Sequence, residues 1–179
     1  MSAIQQVMIG SGKAVTLPAI RDYRNGTSSG TVYLSNALQG DIRILFVKYS
    51  STISTPSGWS LQASFDTYGY AYAFSKCLTE NESSATVSLP YAAMFIEVVV
   101  KNVDTDEPIN ADSSIVNVYE NDAGTHYLYT PAITTTESNT IVLFFVIGSN
   151  GYNNNTFMYT SPYAKFAEVI GNHWFALAS

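Results

Sequence analysis

Hydrophobic and polar positions alternate with a period of two along most of the chain. Short runs rich in β-branched and aromatic residues have the length and composition of strands. No window of about 11 residues or more shows the apolar stripe of a helix. The predicted strands cover residues 14–18, 31–35, 41–49, 59–65, 68–74, 85–89, 94–102, 114–119 and 140–148.

Polar segments rich in Gly, Pro, Asn and Asp separate these runs, and such residues favour turns. About nine or more strands, spaced by about ten residues, are typical of a two-sheet architecture. The pattern therefore predicts an all-β, single-domain antiparallel β-sandwich, jelly-roll or Ig-like, over residues 14–179. We expect residues 1–13 to form an N-terminal arm or docking strand, since exposed strand edges invite added strands. The predicted turns cover residues 23–30, 55–59, 79–84, 104–114, 121–124 and 148–155.

One predicted strand carries an aromatic residue at every second position. Side chains two apart in a strand share a face, so the four rings point one way and the small residues between them point the other. We favour a core face for the rings, with a face between subunits and an exposed sugar-binding platform as alternatives. No polar partner for a sugar lies on the same face before Asp66, which weighs against the platform. The rings belong to Tyr68, Tyr70, Tyr72 and Phe74.

Charge is scarce in this chain of 179 residues. Charged residues make up 12% of the sequence, about half of the usual 25%, which is typical of proteins whose surface is used by neighbours in an assembly. The net charge of −6 and the eight scattered basic residues argue against a nucleic-acid partner. The longest apolar run, which starts at Ile141, has the length of a strand, so we expect no membrane span. The N-terminal residues lack the basic region and the continuous apolar core of a signal peptide, so we expect none.

Residues that carry chemistry are few and scattered. His126 and His173 lie far apart in the sequence, and Cys77 ends a predicted strand with no adjacent histidine. The acidic cluster of residues 104–112 misses the spacing of a calcium loop, so a solvated loop is the favoured interpretation. We therefore expect no enzyme, no catalytic residue, no metal site and no cofactor.

The Asn-rich segment of residues 148–163 is the predicted contact loop. Aromatic rings among asparagine side chains suit a recognition surface, because asparagines bond hydroxyl groups while rings supply apolar area. The candidate interaction or ligand residues in this loop are Tyr152, Asn153, Asn154, Phe157, Tyr159 and Tyr163.

Several landmarks follow one another in a recognisable order between residues 14 and 148. Gly40 and Asp41 open the strongly apolar strand "GDIRILFVKY", the turn "TPSGWSL" follows with Trp59, and Pro108-Ile109 lies in a later acidic loop. This order resembles the β-sandwich domain of tail-associated and fibre proteins of tailed bacteriophages and prophages. Arg43 departs from the pattern, because it interrupts the apolar strand.

The resemblance implies a structural or accessory virion protein that binds other virion subunits, as capsid decoration, head fibre or tail fibre component. We expect a homo-oligomer that is made in the host cytoplasm and located in the virion. The alternative is a carbohydrate-binding or host-receptor-binding module that serves host attachment. Within the resembling region, Gly40 is expected to allow a tight turn, Asp41 to bond turn amides and Trp59 to cap the end of the core.

Overall fold

The computed structural model describes residues 2–10, 17–65, 70–104, 106, 109, 115–118, 140–148, 165–169 and 174–178. Within these ranges the chain is all-β, every strand pairing is antiparallel, and no helix occurs. The all-β antiparallel class predicted from the sequence is therefore confirmed.

The strands form two larger sheets and one small one. The strands are β1 (Ser2–Gly10), β2 (Ala19–Thr27), β3 (Thr31–Tyr33), β4 (Ile42–Tyr49), β5 (Ser60–Phe65), β6 (Tyr70–Cys77), β7 (Thr86–Ser88), β8 (Met94–Lys101), β9 (Ile115–Val118), β10 (Thr140–Gly148), β11 (Lys165–Val169) and β12 (Trp174–Ala178). The central sheet has the order β2-β8-β4-β6-β5, the second sheet has the order β11-β12-β10-β1-β9, and β3 pairs with β7 in a short layer.

Both faces of the central sheet are buried around β4 and β8. A strand covered on both sides has no polar face, which explains why the sequences of β4 and β8 are almost continuously apolar. On one face Ile44 and Phe46 lie in a buried cluster with Leu143 and Phe145 of β10. The rings of Phe46 and Phe145 stack with centroids 4.2 Å apart. This contact joins the central sheet to the second sheet.

The short layer covers the opposite face of the central sheet. Backbone pairing continues beyond β3 and β7: the Leu34 amide donates to the Ala85 carbonyl, and Ala37 forms an antiparallel β-bridge with Glu82. Alternate residues of the two strands point inward and complete a second buried cluster with β4, β6 and β8. The inward residues of the layer are Val32, Leu34, Val87 and Leu89.

The N-terminal segment lies inside the second sheet. Strand β1 pairs along its whole length with β10 and along its first half with β9. The sequence predicts an N-terminal arm or docking strand over residues 1–13, and docking on a neighbouring subunit stays a prediction. The apolar-polar alternation of β1 suits a strand in either place, and its register here is set by pairing with the chain's own strands.

Strand β2 extends into residues 23–30, which the sequence predicts as a turn. Residues 23–30 contain Asn-Gly and two serines, yet β2 runs to Thr27 and pairs with β8, with a bulge between Ile20 and Asp22. Gly26 lies opposite Phe95, whose ring comes within 3.6 Å of the position that a Cβ would take. Such a distance is ordinary van der Waals contact, so Gly26 lies within a paired strand against the Phe95 ring, and the turn prediction for residues 23–27 is wrong. Leu17 and Pro18 lie outside any strand, and residues 14–16 lie outside the described residues.

Candidate functional site

The aromatic residues of β6 form a stacked ladder against the short layer. Ring centroids of Tyr70 and Tyr72 are 6.5 Å apart, and those of Tyr72 and Phe74 are 5.6 Å apart. Phe74 is fully buried, Tyr72 is 7% exposed, and the Tyr72 hydroxyl accepts a hydrogen bond of 3.2 Å from the Ile53 amide. The core-face interpretation is confirmed for Tyr72 and Phe74, and Tyr68 lies outside the described residues.

A network of ion pairs lies beneath the short layer. Arg43 of β4 and Glu97 of β8 are both fully buried and form a direct ion pair. Arg43 Nε also donates to Glu82 Oε2 at 3.1 Å, and Lys76 Nζ lies 2.6 Å from Glu82 Oε1. Glu97 Oε2 accepts a hydrogen bond of 2.7 Å from the Ser35 amide. Two cations and two carboxylates are therefore paired, and their bonds tie the short layer to the central sheet.

Burial dominates the environment of Glu97. It raises the pKa of this carboxyl above its usual value, although the Ser35 amide and the Arg43 guanidinium act in the opposite direction. The carboxylate of Glu97 bonds to the Ser35 amide and to Arg43, and the group is closed to solvent. This geometry suits a structural role for Glu97, because a general base must reach a substrate.

The sequence carries a signal for this network in Arg43, which interrupts an apolar strand, and in Glu97, which had no predicted role. Each is a single charge within an otherwise apolar run, and the two charges have opposite signs. Since buried charges are almost always paired, two such residues predict each other as partners.

The Gly40-Asp41 pair forms the turn that leads into β4. Gly40 has a φ of +83°, where glycine is favoured, and its amide donates to the Leu78 carbonyl at 2.9 Å. Asp41 is 3% exposed and its Oδ2 accepts from the Leu38 amide at 2.8 Å. Arg21 binds the same carboxylate in bidentate fashion, at 2.6 and 3.1 Å. The roles expected of Gly40 and Asp41 are confirmed, and Arg21 is an addition that the sequence did not indicate.

Two further titratable side chains lie at the opposite ends of this sheet. Lys48 of β4 is 6% exposed, and burial lowers the pKa of its amine. Cys77 is a free, exposed thiol at the end of β6. Desolvation raises the pKa of the Cys77 thiol, which reduces the thiolate fraction and its reactivity. The position of Cys77 at a strand end is as expected from the sequence.

The acidic segment shows a local turn in its described part. The Asp106 amide donates to Asp104 Oδ1 at 2.9 Å, which is an Asx turn. Glu107 and Asp112 lie outside the described residues, as do His126 and His173. Among the described residues, no group of three or more His, Cys, Asp and Glu side chains is placed to hold a metal ion.

The predicted contact loop falls outside the described residues altogether. Its candidate residues are Tyr152, Asn153, Asn154, Phe157, Tyr159 and Tyr163. Their role in ligand binding therefore stays a prediction from the sequence.

Among the described residues, three segments over the aromatic ladder and the short layer carry no charged side chain, and Arg24 of β2 lies at their edge, where its Nη1 donates to the Tyr33 carbonyl at 2.9 Å. We define the neutral face as the exposed residues of these segments, 27–39, 50–59 and 83–93, which contain no Asp, Glu, Lys, Arg or His. The first and third segments pair with each other in the short layer. The second packs Ile53 and Trp59 against the same buried cluster, which agrees with the capping role expected of Trp59.

Side chains of the neutral face are mainly hydroxylated. Tyr33 and Tyr91 are the largest exposed residues on it, at 67% and 76% exposure. Thr31, Thr86 and Ser88 are exposed beside them on the outward side of β3 and β7. Tyrosine, serine and threonine can both pack and form hydrogen bonds, so this face is the best candidate for contact with another molecule in the described part of the chain.

Comparisons with known proteins identify no relative of this chain. No protein-family model matches it, and no significant match is found among the curated proteins or the solved structures. In the part of the chain that the structure describes, no helix has the length and apolar character needed to cross a membrane.

Proposed function

We propose that this protein is a structural or accessory virion protein of a tailed bacteriophage, which acts by binding other virion subunits. The resemblance of its landmark order to phage tail and fibre domains suggests this class. The neutral face is the observation that carries the assembly part of the proposal. A surface without ionised groups can be buried against a neighbour without the cost of desolvating charges.

The architecture that we propose for this role is a β-sandwich of about nine or more strands, built from the central and second sheets. The stacking of Phe46 on Phe145 supports it, because these residues belong to different sheets. The position of β11 beside β2 and β8 supports it as well. Two apolar sheet faces that pack on each other leave the outer surfaces for contacts with neighbours.

The charged side chains of the described region favour a binding role over catalysis. Arg43, Glu97, Glu82 and Lys76 neutralise one another, and Arg21 is occupied by Asp41. An active site needs titratable groups that converge on a cleft open to substrate. The ion pairs of the described residues instead connect strands and turns of the fold, so we propose that the protein is not an enzyme.

Immunodetection on purified particles tests the virion assignment. Phage particles from the source bacterium are banded on a density gradient, and the fractions are probed with an antibody raised against the recombinant chain. We expect the protein to comigrate with intact particles and to be seen on them by immunogold electron microscopy. Its restriction to the soluble fraction, with particles that carry none of it, would refute the proposal.

Host attachment through a glycan is the second candidate function, and it depends on the loop of residues 148–163. The described aromatic ladder does not favour it, because Tyr72 and Phe74 are buried in the core. A glycan array probed with the wild-type chain and with Tyr152→Ala tests the loop directly. Binding that is lost in the variant while its circular dichroism is unchanged would support attachment, and absence of binding by the wild type would oppose it.

A further inference from the structure

The neutral face has the properties of a surface that meets an identical surface. We propose that two copies of this chain pack through their neutral faces about a two-fold axis. This inference rests on the assembly role proposed above and names the partner of the face as a second copy. In such an isologous contact the same patch contributes from both subunits.

The charge of the chain favours this face for self-association. Each copy carries a net charge of −6, so two copies repel each other, and a contact that brings carboxylates together costs several kcal/mol. Segments 27–39, 50–59 and 83–93 contribute no ionisable side chain other than tyrosine. Arg43 and Glu97 on the same side of the sheet lie beneath the short layer, fully buried and paired. Two neutral faces can therefore meet without placing carboxylates in contact. Arg24, which donates to the Tyr33 carbonyl at the edge of the face, has the sign opposite to the net charge of the chain.

The size of the face is sufficient for a stable dimer. Segments 27–39 and 50–59 each contribute seven exposed residues, and segment 83–93 contributes six. A standard protein interface uses about 20–30 residues on each side. The face therefore reaches this range without help from the rest of the surface.

The composition of the face provides anchors for the contact. Tyr33 and Tyr91 are the most exposed large residues of the face and stand among small hydroxylated side chains. Tyrosine is enriched at interface centres because it buries a large apolar area with little loss of side-chain entropy. The surrounding Thr31, Thr86 and Ser88 can exchange hydrogen bonds with their symmetry mates.

Sedimentation velocity over a concentration series tests the proposal. We expect the wild-type chain to form dimers whose dissociation constant is unchanged, or lower, at high salt, since screening weakens only the repulsion between the two copies. The variant Thr31→Glu/Ser88→Glu places a carboxylate on each strand of the face at directly paired positions. We expect it to dissociate about a hundredfold or more readily, because each copy then buries like charges.

Thr79→Glu is the control for one added carboxylate outside the neutral face, and it is compared with Thr31→Glu and Ser88→Glu made singly. Thr79 is exposed, lies outside the neutral face beside Glu80, and carries the same substitution. We expect this variant to dimerise like the wild type. Far-UV circular dichroism and thermal unfolding of all variants establish that each is folded, and Tyr91→Ser in the exposed turn is a second variant that adds no charge and should also weaken the dimer.

Three results would overturn the inference: a wild type that is monomeric at the highest soluble concentration, a dimer that Thr31→Glu/Ser88→Glu leaves intact, or one that salt dissociates. The virion assignment fails separately. A monomeric chain that comigrates with particles leaves that assignment standing and removes the dimer, whereas a dimer absent from particles does the reverse.

Discussion

Removal of Glu97 tests the ion-pair network that joins the short layer to the central sheet. In the variant Glu97→Ala, Arg43 remains fully buried with only Glu82 as its charged partner, and the buried Ser35 amide loses its acceptor. Breaking a buried pair by removal of one partner costs about 3–5 kcal/mol. The orphaned Ser35 amide adds about 1–3 kcal/mol, whereas Glu82, which still pairs with Arg43, reduces the cost of the lost charge. We therefore expect a loss of about 3–5 kcal/mol in the free energy of unfolding.

Urea unfolding followed by tryptophan fluorescence and circular dichroism measures this loss. The expected change is a large part of the about 5–15 kcal/mol that stabilises a typical domain. Glu97→Gln removes the negative charge but keeps the side-chain volume and an acceptor for the Ser35 amide, so it should lose less stability than Glu97→Ala and separates the loss of charge from the loss of the side chain. Glu80→Ala removes an exposed carboxylate nearby and should change stability by no more than about 0.5 kcal/mol.

A loss below about 1 kcal/mol for Glu97→Ala, with an unchanged m-value, would refute this reasoning. Such a result would mean that the guanidinium of Arg43 reaches water or another partner in the folded chain. A lowered m-value for Glu97→Ala alone would instead indicate that the short layer had already detached in the native state.

Three further changes probe other parts of the fold. Phe145→Ala removes the ring that stacks on Phe46 between the sheets and should cost about 3–5 kcal/mol by urea unfolding; a loss under about 1 kcal/mol would deny that contact. Ala92 has a φ of +63°, which glycine adopts without strain. Ala92→Gly should raise the free energy of unfolding by about 0.5–1 kcal/mol, because the relieved backbone strain exceeds the entropy that glycine adds to the unfolded chain. Ala85→Gly, at a residue without positive φ, should lower it. Burial lowers the pKa of Lys48 from 10.5, so between the lowered value and 10.5 the unfolded chain binds more protons and wild-type stability should rise with pH relative to Lys48→Met. Urea midpoints of the two proteins that move in parallel from about pH 7 to about pH 10.5 would contradict this.

The sequence alone determined the class of the fold and most of the strands of the central sheet. Apolar runs such as β4, β8 and β10 are legible because each has the length of a strand and no competing helical period. The turn at Gly40-Asp41 was also predictable, since a positive φ and a short acidic side chain have local causes. The burial of Tyr72 and Phe74 followed from their alternation with small residues.

Properties that depend on distant parts of the chain were decided only by the tertiary structure. The course of β2 through Asn25-Gly26 and the place of β1 inside the second sheet follow from pairing with strands far away in sequence, which local residue preferences do not encode. The neutral face likewise combines three segments that are separate in the sequence and adjacent only after folding. Ion pairs such as Arg43 with Glu97 join residues 54 positions apart, and a charge acquires its partner from the surface that folding brings against it.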